Sequence, residues 1–379
     1  MANKALINPY MLTWARQRAG LSDDVLAKKL GVKKVEKIAI WENGEDQPTF
    51  GQAQKLAQIT SVPFGYLFLA NPPYEELPIP DLRTVGDRDI PEISLEMRDV
   101  IKQVMLKQEW YRDYLKQMGE ETLPFVGRFT TKSSIKEVAQ DIRNVINVPI
   151  PNKGGWEQYY TELIQGAENA RILVMRSGIV GNNTHRKLEV SEFRGFALCD
   201  ELAPVVFINS SDAPAARLFT LIHELAHLWI GSSGVSDTKE SDAQNEEMFC
   251  NSVASEFLVP SEDFEAIWNN NSPLDTNLTQ VSTTFHVSKI VVARKALGFG
   301  YITKKQYWSF YNSVIKAFRD KKGGGSGDFN RNAGAKNSHL FSSAVVAEAL
   351  SGRMLLRDAG QLLGIKPNKI KTYASTLSL

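Results

Sequence analysis

The sequence predicts an α+β, mostly helical protein of about two to three domains, and three observations carry that expectation. Apolar residues recur at helical spacing along most of the 379 residues. Three short apolar runs near the middle read instead as strands, at Ile172 to Met175, Gly195 to Cys199 and Val205 to Ile208. Pro72, Pro73, Pro78, Pro80 and Pro91 interrupt the helical pattern between Asn71 and Ile93, and the Gly-rich run Gly323 to Gly327 interrupts it again. The divisions expected from these breaks are residues 1–72, 73–155, 156–312 and 313–379.

The first division is a small all-α unit with helices predicted over Tyr10 to Ala19, Ser22 to Leu30, Val35 to Asn43 and Phe50 to Ala57. Ser22 can cap the second of these, and Gly31 closes it after Lys28 and Lys29, so the pattern is helix, tight turn, helix. A Pro-rich linker and helical spacer follow, with helices over Ser94 to Met118 and Ser134 to Ile146. A helix at Trp156 to Ala170 leads into the strands, and Asp212 to Trp229 is helical up to Gly231 and Gly234. Gln244 to Leu258 stops at Pro260; Leu278 to Leu297, Thr303 to Phe318 and Ser342 to Ser375 complete the helical pattern. No internal repeat is present.

Composition excludes several classes. Lys and Arg number 44 against 43 Asp and Glu, a net charge of +1, so global charge selects no partner. The longest charge-free run, Leu56 to Tyr74, contains polar residues and the Pro72-Pro73 pair, so no membrane span is expected. The N-terminus lacks the apolar core of a secretory signal, and two distant cysteines, Cys199 and Cys250, make no disulfide framework. A cytoplasmic location with packed thiols is the expectation.

His223-Glu224-Leu225-Ala226-His227 matches the HExxH pattern. At about 100° per residue, positions i and i+4 differ by about 40°, so both imidazoles leave one face of a helix toward a common ion. Glu224 follows the first ligand directly, where its carboxylate can reach a metal-bound water as general base without coordinating the metal. The residue types suit Zn²⁺. A chance match arises in on the order of one in a hundred chains of this length. The apolar neighbours Leu218, Phe219, Leu221, Ile222, Leu225, Leu228 and Trp229 place this one on a buried helix.

A third ligand must come from a second helix able to approach closely. Ile230 and Ser233 stand where a metzincin needs Gly and His, which removes that class. Three, four and seven residues after Glu247 lie Cys250, Asn251 and Ala254, a face of small side chains that permits close approach. Glu246 shares its face with Phe249, Cys250 and Val253 and is the second choice.

Phe219-Thr-Leu-Ile-His-Glu-Leu-Ala-His227, followed by Glu247-Met-Phe-Cys-Asn-Ser-Val-Ala-Ser-Glu-Phe-Leu-Val-Pro260, resembles the ImmA/IrrE family of bacterial zinc metallopeptidases. The resemblance covers about residues 156 to 300. It implies a gluzincin-like fold with an edge strand that can hold a peptide by β-addition. It also implies zinc ligands His223, His227 and Glu247, with Glu224 as general base. A helix-turn-helix repressor or antitoxin, in a bacterial stress, phage or mobile-element circuit, is the implied substrate.

Ala15 to Gly31, Trp41-Glu-Asn-Gly44 and Pro48-Thr-Phe50 resemble the Xre/Cro-type helix-turn-helix family. That resemblance implies operator DNA as a partner, with Lys33, Lys34 and Lys37 as candidate phosphate contacts. Residues 1 to 70 carry nine basic and six acidic side chains, a modest +3. Two function classes stay open: a zinc endopeptidase acting on a regulatory protein, and a DNA-binding regulator whose metal domain senses without cutting. The oligomeric state also stays open, a homodimer among the options. His286 reads as a surface or capping residue at a helix start, and His185 and His339 as loop residues.

Overall fold

The computed structural model describes residues 3–73, 94–151, 154–232, 240–320 and 335–377. The fold is α+β and mostly helical, as the residue pattern predicts. The chain divides into two compact units, one built from residues 1–77 and 90–99, the other from residues 78–89 and 100–379. The linker prolines Pro78, Pro80 and Pro91 and the run Gly323 to Gly327 lie outside the described residues.

In the first unit, α1 (Pro9–Arg18) begins at a side-chain cap, where Asn8 Oδ1 accepts from the Tyr10 amide at 3.1 Å. Helix α2 (Asp23–Leu30) starts at Ser22 and ends at Gly31, whose φ of +77° favours glycine. Helix α3 (Glu36–Glu42) and helix α4 (Phe50–Ile59) follow, the latter fixed by a Thr49–Gln52 capping box. Leu12, Leu26, Ile38, Trp41 and Leu56 form the core of this unit. The Arg16 guanidinium grips both carboxylate oxygens of Glu42, at 2.7 and 2.9 Å, and so ties α1 to α3. A 3₁₀ turn at Phe64–Phe68 was not evident in the residue pattern.

Helix α5 spans Leu95–Met118. The second unit is organised around a three-stranded sheet of β1 (Leu173–Ser177), β2 (Gly195–Leu198) and β3 (Val205–Asn209). The order is β1-β3-β2, with β1 parallel and β2 antiparallel to β3. All five residues of β3 are buried, as a central strand covered on both faces requires. Helices α6 (Ile135–Ile146), α7 (Trp156–Asn169), α8 (Pro214–Trp229) and α9 (Glu240–Leu258) share one core with this sheet.

The C-terminal end of α8 is held by the segment before α6. Gly127 and Phe129 donate backbone N–H groups to the carbonyls of Leu228 and Trp229 at 2.9 and 3.0 Å, satisfying acceptors the helix cannot pair itself. Phe125 stacks on Trp229 with ring centroids 4.4 Å apart, and the Trp229 indole donates to Asp141 Oδ2 at 2.7 Å. Helices α10 (Ser261–Ile267), α11 (Leu274–Phe285), α12 (Lys289–Gly298) and α13 (Lys304–Asp320) complete this part. Buried Lys295 and Glu256 pair at 2.7 Å across it.

Two expectations need correction. The single helix expected over Leu278 to Leu297 is two helices, because His286 takes φ +53° and ends α11 while Ser288 caps α12. His286 therefore closes a helix instead of opening one. The long region Ser342 to Ser375 is likewise three helices, α14 (His339–Leu350), α15 (Leu356–Leu363) and α16 (Ile370–Thr376). Gly352 and Gly364, with φ +79° and +67°, break it. No helix among the described residues is long and apolar enough to cross a membrane.

Gly166 shows how tightly α7 is packed: a methyl group there would lie 2.5 Å from the Ile146 carbonyl oxygen and 2.6 Å from Val148 Cγ2. Alanine's helix preference, about 1 kcal/mol over glycine, opposes an overpacking cost of about 1–3 kcal/mol. A backbone oxygen cannot rotate away, so the clash wins. Gly166→Ala should lower the thermal unfolding midpoint; an unchanged or higher midpoint would show room that this packing denies.

Candidate metal centre

Three elements build the site. Helix α8 carries His223 and His227 one turn apart, α9 supplies Glu247, and β2 runs beside α8. His223 Nε2 and His227 Nε2 lie 3.1 Å apart, and Glu247 Oε1 is 3.3 and 2.9 Å from them. Donors at about 2.0 Å from a tetrahedral ion are separated by about 3.3 Å, so this triangle has the size of a cation site. The three side chains are also the group of His, Cys, Asp and Glu among the described residues whose donor atoms converge on one point.

His227 is oriented by its second nitrogen. Nδ1 lies 3.1 Å from Ser232 Oγ, and a proton on Nδ1 donated to that hydroxyl leaves the Nε2 lone pair directed at the trio. The His227 carbonyl in turn accepts from the Cys199 thiol at 3.7 Å and the Ser232 amide at 3.1 Å. Neither Ser232 nor Cys199 was singled out from the sequence, since a second hydrogen-bond shell has no spacing signature.

Glu224 stays outside the trio and is 6% exposed. Gly195 makes space for it: a methyl group on Gly195 would lie 2.9 Å from Glu224 Oε1 and 2.7 Å from Thr220 Cγ2. The sequence marked Gly195 only as a strand residue. The Arg194 carbonyl accepts from the Asn209 amide at 2.8 Å, so Arg194, Phe196 and Leu198 direct their backbone groups at β3. By alternation, those of Gly195 and Ala197 face away from it. Strand β2 is the edge of the sheet among the described residues.

Glu246 lies elsewhere. It lines a groove of about 600 Å³ with Lys132, Phe249 and Ser252, on the side of α9 that faces residues 131 and 132. Phe219 precedes His223 by one turn, with ring centroids 6.4 Å apart. In the first unit, Lys33 and Lys34 are exposed, while the Lys37 ammonium sits 5.7 Å from the centroid of the Trp41 ring. Arg16 is engaged with Glu42, Lys4 with Asp46, and Lys55 with the Leu30 carbonyl at 3.2 Å. The basic count therefore overstates the charge open to a polyanion.

If Ser232 orients His227, Ser232→Ala should weaken metal binding by roughly 10- to 100-fold. Competition with a chromophoric chelator measures this, and wild-type affinity in the variant would remove Ser232 from the site.

Comparison with known proteins finds three family matches. Residues 167–297 match the IrrE N-terminal-like domain of the family Peptidase_M78, and residues 12–67 match a helix-turn-helix family. Residues 337–376 match a domain of unknown function, DUF8813. No curated protein matches the chain. Among solved structures, the apo form of ComR from S. thermophilus covers 97% of this chain and 93% of its own, at 11% identity and a TM-score of 0.15. The chain carries a helix-turn-helix domain at its N-terminus and an IrrE N-terminal-like Peptidase_M78 domain after it.

Proposed function

We propose that the chain is a cytoplasmic zinc-dependent endopeptidase acting on a regulatory protein, a helix-turn-helix repressor or antitoxin. The observation that carries this reading is the convergence of His223, His227 and Glu247 within 3.3 Å beside a buried Glu224. Two imidazoles and one carboxylate are a donor set that fits zinc and leaves a position open. When bound there, zinc supplies a Lewis acid for the scissile carbonyl and lowers the pKa of water.

The protein's own residues do the rest. Gly195 and Ala197 offer the backbone groups that can pair with an extended substrate strand. Glu224 accepts the proton of the attacking water and returns it to the leaving amine. Its burial beside the trio supports this role, because it holds the carboxylate away from bulk water next to the donor atoms. Tethering to a helix-turn-helix domain raises the effective concentration of a repressor when both occupy one operator or when the domains pair, which favours a substrate of that kind.

Glu224→Gln keeps the shape and the ligands but removes the base. Zinc should stay near one per chain while cleavage of repressors encoded beside the gene falls by roughly 100-fold or more. His227→Ala and Glu247→Ala should lose zinc, and Glu246→Ala should retain it. Zinc lost from the Glu246 variant and kept in the Glu247 variant would overturn the ligand assignment; full activity in Glu224→Gln would end the mechanism.

The helix-turn-helix domain is assigned to operator DNA, with Lys33, Lys34 and Lys37 on phosphates. Neutralising all three should weaken binding of the full chain to its own upstream region. It should also flatten the salt dependence, since each lost phosphate contact reduces the slope by about 0.9. Salt-independent behaviour in the wild type would favour a protein-contact role for this unit.

A further inference from the structure

Two arginines near helix α8 take no part in the proposed chemistry. Arg294, on α12, is exposed, and its guanidinium carbon lies 5.6 Å from the centroid of the Phe219 ring. That ring lies 6.4 Å from the ring of His223. Among the described residues Arg294 pairs with no carboxylate. Arg194 directly precedes Gly195, and its guanidinium donates to the Tyr311 hydroxyl at 3.3 Å and lies 3.8 Å from Asp212 Oδ2. Asp212 is buried and also faces the charge of Arg217.

Both arginines face α13: Arg194 bonds Tyr311, whose ring stacks on that of Tyr307 with centroids 6.1 Å apart, and Arg294 acts on the Tyr307 phenol through its charge. Burial raises the Tyr307 phenol above the ordinary range, and the positive charges of Arg294 and Arg194 both pull against that shift. Asp212 is shared by Arg194 and Arg217, while the exposed Arg294 guanidinium faces solvent. Arg294 sits over Phe219, one turn from His223 on α8, and the face of that aromatic ring attracts the cation.

We propose that Arg194 and Arg294 form a subsite for an acidic side chain, Asp or Glu, of the substrate peptide. The proposal rests on the peptidase reading above. The two ring distances put the Arg294 guanidinium no more than about 12 Å from the His223 ring. At about 3.3 Å per residue of extended chain, that span corresponds to a side chain roughly two to four residues from the cut bond. A carboxylate suits the site because a guanidinium pairs with it through two parallel hydrogen bonds.

The test uses full-length protein, a library of short random peptides and two readouts: retention on immobilised Glu224→Gln protein, and cleavage by the zinc-loaded wild type. Retained and cut peptides should both be enriched in Asp or Glu at one fixed distance from the cut. Arg294→Glu should reverse that preference toward Lys and Arg. For an acidic peptide it should raise KM roughly tenfold or more while kcat stays within about twofold, the signature of lost uniform binding. Should Arg294→Glu fail to fold, Arg294→Gln removes the charge alone and should abolish the enrichment. Absence of acidic enrichment in the wild type, or its survival in both variants, overturns the subsite. Acid-selective retention without any cleavage upholds the subsite and overturns the peptidase reading; cleavage without acid preference does the reverse.

Discussion

The site depends on how closely α9 can lie against α8. Interaxial distances between packed helices vary over roughly 8–10 Å with the side chains between them. Donor atoms 2.9 to 3.3 Å apart tolerate only a fraction of that range. Cys250 and Ala254 meet the requirement, being small and fully buried where larger residues would push the helices apart. Three acceptors at such distances also repel one another unless a cation or a proton lies among them, so the arrangement is stable only with positive charge at its centre. The anchoring of α8 at Trp229, through Phe125, Asp141 and two backbone amides, fixes the helix against which this closeness is set.

Much of this was legible in the residues, for physical reasons that can be named. His223 and His227 follow from helix periodicity alone, and the expectation of Glu247 followed from the small face it shares with Cys250 and Ala254. The strands were visible because Val205 to Ile208 is a continuous apolar run of a kind that buried central strands require. Helix ends were harder. A histidine in the left-handed region ends α11, which periodicity cannot register because apolar residues continue on both sides of it. The shell behind the ligands was invisible for a different reason. Ser232 and Cys199 reach His227 from a loop and from the end of the edge strand, and Gly195 matters only for a side chain it lacks.

The helix-turn-helix unit shows why charge counting misleads. Of its basic residues, Arg16 binds both oxygens of Glu42 and holds two helices together, and Lys4 and Lys55 have internal partners. The exposed lysines that remain are Lys28, Lys29, Lys33 and Lys34, with Lys37 half-buried beside the Trp41 ring. A small footprint implies modest affinity for one domain, and a paired or tethered arrangement would then decide occupancy. The weak charge signal therefore favours modest binding of a polyanion by this unit on its own.

Glu224 and Gly195 are where the enzyme and metal-sensor readings differ. A sensor needs the trio and an orienting residue such as Ser232, and nothing more. It has no use for a carboxylate at Glu224, whose removal from water carries a free-energy cost that a neutral side chain of similar shape would avoid. Nor would it need glycine at position 195, where a methyl group would crowd Glu224 Oε1, the Thr220 methyl and the Phe207 carbonyl oxygen together. A glycine in a strand interior gives up packing and backbone order. Here it borders both the buried carboxylate and a strand that is an edge of the sheet among the described residues, the two features on which the peptidase reading rests.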